Sequence, residues 1–160
     1  MSYAIRRASA DDAPLLAEHR ARVWREVGGW DEESMAAQIP VWTAWFRENV
    51  AAEIYVSFVA EEDGEAIASA SLLVQRAIPR PELPSDHEGR VQSVYVVPDA
   101  RRRGIARALM DNLIDYARTA TLVRLTLHPS DEARELYASM GFAPLDEMGL
   151  RLYHDPDDDA

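Results

Sequence analysis

The chain has 160 residues, 48% of them hydrophobic and 28% charged, with a formal net charge of −11 and no cysteine. That length suits one globular domain with a substantial core. The composition excludes a disulfide framework, a thiolate metal site and a cysteine nucleophile, and the acidic balance argues against a nucleic-acid partner, because such binding depends on Lys and Arg neutralising phosphates.

Residues 3–8 read as a short strand. Asp11, Asp12 and Pro14 mark a helix start, and Leu15, Leu16, His19, Val23 and Val27 recur at helical spacing until Gly28. Asp31 opens a second helix with a stripe of Met35, Ile39, Trp42 and Phe46, and Pro40 is expected to kink or restart it. Residues 54–60 and 66–75 read as two strands joined by a hairpin turn at Glu62-Asp63-Gly64-Glu65. The proline-rich stretch 78–89 is an irregular crossing, long enough to be a binding loop. Residues 91–97 form a strong strand. After Gly104 comes a helix whose stripe runs Ala106, Leu109, Met110, Leu113, Ile114 and Ala117. Residues 122–128 read as a strand parallel to 91–97 through a right-handed crossover. Ser130 is placed to cap a last helix that Gly141 closes, and 142–153 are expected to give one or two terminal strands. The domain spans 1–154, and 155–160 form a solvated acidic tail. Nothing reaches the length of a membrane span, and the first residues carry no apolar signal core. The expected compartment is therefore the cytoplasm, with no membrane partner.

The run Val94-Tyr95-Val96-Val97-Pro98-Asp99-Ala100-Arg101-Arg102-Arg103-Gly104-Ile105-Ala106-Arg107 carries the chemistry. A strand feeds a basic turn and then a helix start. The first turn of a helix has unsatisfied N–H groups and the positive end of the macrodipole. Small residues at 104 and 106 let a ligand approach the backbone, and three arginines add charge, so the run describes an anion site. No Gly-x-Gly-x-x-Gly and no P-loop pattern occurs, which argues against the usual dinucleotide and nucleoside triphosphate sites. A second block, Leu127 through Phe142, is strand, cap and helix by its periodicity. Tyr137 lies on the apolar stripe of that helix, where a core residue and a catalytic one look alike.

Together the two blocks resemble the GNAT superfamily of acyl-CoA-dependent N-acyltransferases. Val96-x-Pro98-x-x-Arg101-Arg102-Arg103-Gly104-Ile105-Ala106 is similar to its coenzyme A pyrophosphate motif, and Leu136-Tyr137-x-x-x-Gly141-Phe142 to its C-terminal helix motif. The resemblance covers residues 3–153. It implies an α/β single-domain fold with a mixed, mostly antiparallel sheet of six to seven strands and helices on both faces. A V-shaped splay would separate the fourth and fifth strands. Backbone groups of Val94, Tyr95 and Val96 would meet the pantetheine arm of acetyl-CoA, with an N–H at Val94 or Val96 on the thioester oxygen. Amides from Arg101 to Arg107 would hold the pyrophosphate, Tyr137 would protonate the departing thiolate, and Ser130 stands where many relatives have Asn contacting the coenzyme. No metal is implied.

The chemistry so implied is acetyl transfer to a primary amine of a small molecule or peptide. An amine is mostly protonated at neutral pH, so a base or a chain of waters must remove a proton before attack. Glu88, at the entrance to the third strong strand, and His128, at the end of the next, are the candidates. Trp24, Trp30, Trp42 and Trp45 concentrate in the first two helices beside Glu26, Asp31, Glu32 and Glu33, a composition that suits a cationic amine or plain core packing. A non-catalytic acyl-CoA-binding module is the alternative, and a homodimer stays open.

Overall fold

A computed structural model of the protein describes residues 2–28, 30–150 and 152. The chain divides into two compact units, Met1–His128 and Pro129–Ala160. The first holds five strands in the order β1 to β5: β1 (Ala4–Arg7), β2 (Tyr55–Glu62), β3 (Glu65–Arg76), β4 (His87–Val96) and β5 (Leu125–Thr126). The first four pair antiparallel, and β5 joins β4 in parallel. The hairpin between β2 and β3 turns on Asp63 and Gly64, both at positive φ, as a two-residue turn requires.

Three helices of this unit cover the sheet: α1 (Ala13–Val27), α2 (Glu32–Ala51) and α3 (Ile105–Thr119). A reciprocal Ser9–Asp12 capping box leads into α1, and the Asp31 carboxylate accepts the Ser34 N–H at 2.7 Å to start α2. Pro40 is accommodated within α2, which runs on past it. Pleat alternation separates the two faces. On one, Phe46 of α2 packs on Tyr55 with ring centroids 4.9 Å apart, and His19 of α1 bonds Ser69 of β3. On the other, Arg7, paired with Phe58, lies over the Tyr116 ring of α3 at 5.0 Å. Leu109, Met110 and Leu113 of α3 are fully buried, which accounts for the strong apolar stripe of that helix.

Several expectations are corrected. Among the described residues the sheet has five strands rather than six or seven. The strand expected over 122–128 shrinks to Leu125–Thr126. β4 starts earlier, at His87, because the Arg76 guanidinium clasps Asp86 at 2.6 Å and brings the end of the crossing onto β3. No strand forms over 142–150. Pro144 and Gly149 interrupt that stretch, and Leu145, Met148 and Leu150 are exposed. The tail over 155–160 lies outside the described residues. In the second unit Ser130 heads a turn, its Oγ accepting the Ala133 N–H at 3.3 Å, and α4 (Arg134–Ser139) begins only after it.

Candidate active site

The β4–β5 ladder has two pairs, Gly89↔Leu125 and Arg90↔Thr126. Beyond them the outer side of β4 has no strand beside it among the described residues, so the strand opens onto a gap from Val91 onward. Which peptide groups face that gap follows from the register. The Val97 N–H donates to Ile67 O on β3 at 2.9 Å, so residues 97, 95 and 93 turn their backbone groups toward β3. Val94 and Val96 then turn theirs to the gap. The Val96 carbonyl does so, accepting the Arg101 Nε–H at 3.0 Å. Tyr95 points its backbone at Ser69 and instead offers its ring, 5.0 Å from His19.

A β-bulge sets this phase. Ser71 pairs with Ser93 but Leu72 pairs with Val91, which leaves Gln92 as an extra residue. Upstream of it, the Gly89 N–H reaches Arg124 O of the neighbouring strand, so odd residues face outward. Downstream, even residues do. Gly89 itself must be small. A Cβ there would lie 2.6 Å from Cδ atoms of Leu125 and Leu72.

The basic turn follows β4 directly. Arg102 and Gly104 both adopt positive φ, 60° and 78°. Gly104 is the N-cap of α3 with no side-chain cap, so Ile105 and Ala106 present first-turn N–H groups without intrahelical acceptors. A left-handed residue next to such a turn forms a concave nest of N–H donors suited to an anion. The Arg101 N–H is not among them, since it donates to Pro98 O. The arginines divide their roles. Arg101 pairs with Glu26 at the end of α1, and Arg103 grips Glu62 of β2 through two bonds of 2.7 and 3.0 Å. These acids explain how cations tolerate a helix N-terminus. Arg102 is exposed and carries no ion pair among the described residues, and Arg107 lies one turn further along the helix.

Of the proposed bases, Glu88 is held by Arg124 at 2.8 Å, and His128 is exposed two residues past β5. They stand at opposite ends of the short ladder and are not brought together. Tyr137, in the second unit, is buried. Its ring meets Phe142 edge-on at 5.9 Å, and burial raises its phenol above the ordinary range.

Sequence reasoning missed the polar content of the α1–α2 face. His19, 2% exposed, bonds Ser69 Oγ at 2.8 Å, and burial lowers its pKa from 6.5 to about 4. Ser57 and Ser71 hydroxyls bond at 2.7 Å. The Tyr55 hydroxyl is buried near Ser71 and Ser93 yet has no hydrogen-bond partner among the described residues. Beside them lies a cleft of about 360 Å³, walled by Trp42, Trp45, Phe46 and Leu73 and edged by Arg20 and Gln92. Trp24, Trp30 and Trp42 stack on one another at 5.2 and 5.9 Å. Three of the four neighbouring acids are already engaged: Glu26 with Arg101, Glu32 with Arg25, and Asp31 as the cap of α2.

Both the sequence and the fold are matched in known proteins. The family model of the acetyltransferase (GNAT) family matches residues 15–142. The chain belongs to the GNAT acetyltransferase family. A GCN5-related N-acetyltransferase from Ralstonia eutropha JMP134 is 31% identical, with a TM-score of 0.83 over 94% of this chain and 99% of that one. A predicted acetyltransferase with acetyl-CoA from Clostridium acetobutylicum is 26% identical, with a TM-score of 0.84 over 94% and 97%. Glucosamine-6-phosphate N-acetyltransferase from Arabidopsis thaliana shares the fold at 18% identity, with a TM-score of 0.67 over 97% and 100%. No curated protein sequence matches the chain significantly. Among the described residues no cluster of metal-ligating side chains occurs, and no helix is long and apolar enough to cross a membrane.

Proposed function

We propose that this GNAT protein transfers an acetyl group from acetyl-CoA to a primary amine by direct attack in a ternary complex. The observation that supports this most is the continuous polar edge from Val94 and Val96 to the turn at Arg102–Ala106. A pantetheine amide needs strand-like backbone partners, and a pyrophosphate needs clustered N–H donors. Both occur on one stretch of chain, in the order the coenzyme requires.

In this reading the Val94 and Val96 backbone groups bind the pantetheine arm, and an N–H at that edge stabilises the oxyanion that develops on the thioester. N–H groups at Arg102–Ala106 hold the pyrophosphate, with Arg102 and Arg107 at its rim and Ser130 beside the coenzyme. The amine nitrogen forms a bond to the carbonyl carbon, the C–S bond breaks, and the sulfur takes up a proton. Tyr137 supplies that proton, since a phenol is protonated at neutral pH. Glu88 and His128 are the groups within reach of bulk water to relay the proton lost by the amine.

The ion pair that ties Glu88 to Arg124 favours a second reading, an acyl-CoA-binding module without a working base. One experiment separates them: free thiol release from acetyl-CoA across amines, amino acids, polyamines and peptide N-termini, alongside calorimetric titration of coenzyme A. Binding with acceptor-dependent thiol release supports the enzyme. Binding with no release from any acceptor supports the module, and no binding at millimolar coenzyme refutes both.

A further inference from the structure

We infer that the acceptor is an α-amino acid with an apolar or aromatic side chain, whose carboxylate is held by Arg20 and whose side chain lies on the indole wall of the α1–α2 cleft. Its acetylation rests on the transferase reading above, whereas its binding rests on the cleft alone.

Arg20 is the one charged side chain that lines the cleft. It is half-buried and has no ion pair among the described residues. Its neighbours on the same helix differ. Arg22 pairs with Glu18 at 3.1 Å and Arg25 with Glu32 at 2.7 Å. In a chain of net charge −11, acids are abundant, yet none is set against this guanidinium. A half-buried cation whose contacts are neutral keeps donors to offer an anionic ligand. The group is also pre-oriented. Its Cζ lies 5.2 Å from the Trp42 ring centre and 5.9 Å from that of Trp24, and one Nη1 donates to Ser93 Oγ at 3.3 Å. The remaining donors form a fork that matches a carboxylate.

The rest of the cleft excludes other acceptors. No acid lines it, so a polyamine or another multiply cationic amine finds no counter-charge there. Trp42, Trp45 and Phe46 offer a flat apolar surface.

Distance along the chain limits the acceptor further. Ser93, which Arg20 touches, lies between the bulge at Gln92 and the gap-facing Val94. A carboxylate on Arg20 would then lie one residue along β4 from the edge where the thioester is proposed to lie. An amine within a few bonds of its own carboxylate, the arrangement of an α-amino acid, suits that adjacency. In the transfer, its nitrogen bonds to the acetyl carbon, the C–S electron pair stays on sulfur, which takes its proton from Tyr137, and the proton lost from nitrogen returns through solvent to the Tyr137 phenolate.

Two measurements test this. The first is calorimetric binding of N-acetyl-L-phenylalanine against N-acetylphenethylamine, which lacks the carboxylate, to the wild type, Arg20→Met and Arg20→Lys. The wild type should prefer the carboxylate by at least about tenfold, Arg20→Met should erase the preference, and Arg20→Lys should restore part of it. Equal wild-type affinities, or a preference that survives Arg20→Met, overturn the inference. The second is kcat/KM for L-phenylalanine relative to phenethylamine and to a polyamine. A wild-type ratio that favours the amino acid and collapses in Arg20→Met supports it, and a polyamine as the better acceptor overturns it. Carboxylate-selective binding with no turnover of any amine refutes the transferase reading and leaves the cleft assignment standing.

Discussion

Acid should loosen the α1–sheet contact through one residue. His19 is 2% exposed, its ring sits 5.0 Å from Tyr95, and its Nδ1 bonds Ser69 Oγ. Burial disfavours the imidazolium and lowers the pKa from 6.5 to about 4. As pH falls below 6.5, the unfolded chain takes up a proton that the folded chain refuses. Stability is therefore intact above pH 6.5 and is lost as pH falls toward 4. Between pH 7 and pH 5 the linkage amounts to about 2 kcal/mol. Carboxylates held down by arginine, such as Asp12 by Arg6 and Glu62 by Arg103, lose their contribution mainly below about pH 4.5, so this window isolates the histidine. The assay is urea unfolding at pH 7 and pH 5 for the wild type and His19→Asn, which keeps a polar atom near the Nδ1 position but does not titrate. The variant should be less stable at pH 7, and its loss on going to pH 5 should be smaller by about 2 kcal/mol. Equal losses in the two proteins would refute the reasoning.

Three further outcomes are expected. Tyr137→Phe should lower kcat by about a hundredfold with little change in the acetyl-CoA KM, because the missing proton matters only in the transition state; an unchanged kcat removes Tyr137 from the chemistry. Gly104→Glu should abolish coenzyme A binding in calorimetry while circular dichroism stays native. The left-handed φ costs roughly 1–2 kcal/mol for a side chain, nothing lies within 4 Å of the new Cβ, and the carboxylate repels the pyrophosphate. Gly89→Val should destabilise the fold by about 1–3 kcal/mol in denaturant titration, since its Cβ would meet leucine side chains at 2.6 Å.

Elements that bury one regular face were legible in the sequence. The helical stripe ending at Ala117 and the Asp63–Gly64 hairpin both encode their structure locally, and both stand as read. The strand-to-helix turn before α3 was legible for the same reason, as small residues at a junction are local facts. What depends on a distant partner was not. Arg101 and Arg103 read as ligand charge, but Glu26 and Glu62, 75 and 41 residues away, take them up. The tryptophans with nearby acids suited either a cationic amine or core packing, but Glu26 and Glu32 are taken up by arginines, Asp31 caps α2, and the charged side chain that lines the cleft is Arg20. Apolar residues at 122–128 looked sufficient for a strand, but pairing ends after Thr126, where β4 and β5 part. The Gln92 bulge has no signature in residue type, because it is a mismatch of lengths between two strands.

That mismatch gives the donor edge an unusual mutational logic. Whether a peptide group of β4 faces the gap or β3 is a matter of counting residues from the bulge, odd or even. Replacing the Gln92 side chain leaves the count untouched. Removing Gln92 would leave Val91 opposite Leu72 and Ser93 opposite Ser71 and carry the alternation straight through, whereas removing Tyr95 would turn Val96 toward β3. Between Ser93 and Val96, tolerance to substitution and intolerance to a single-residue deletion should therefore go together, and which peptide groups line the gap is a digital property of chain length before it is a property of side chains.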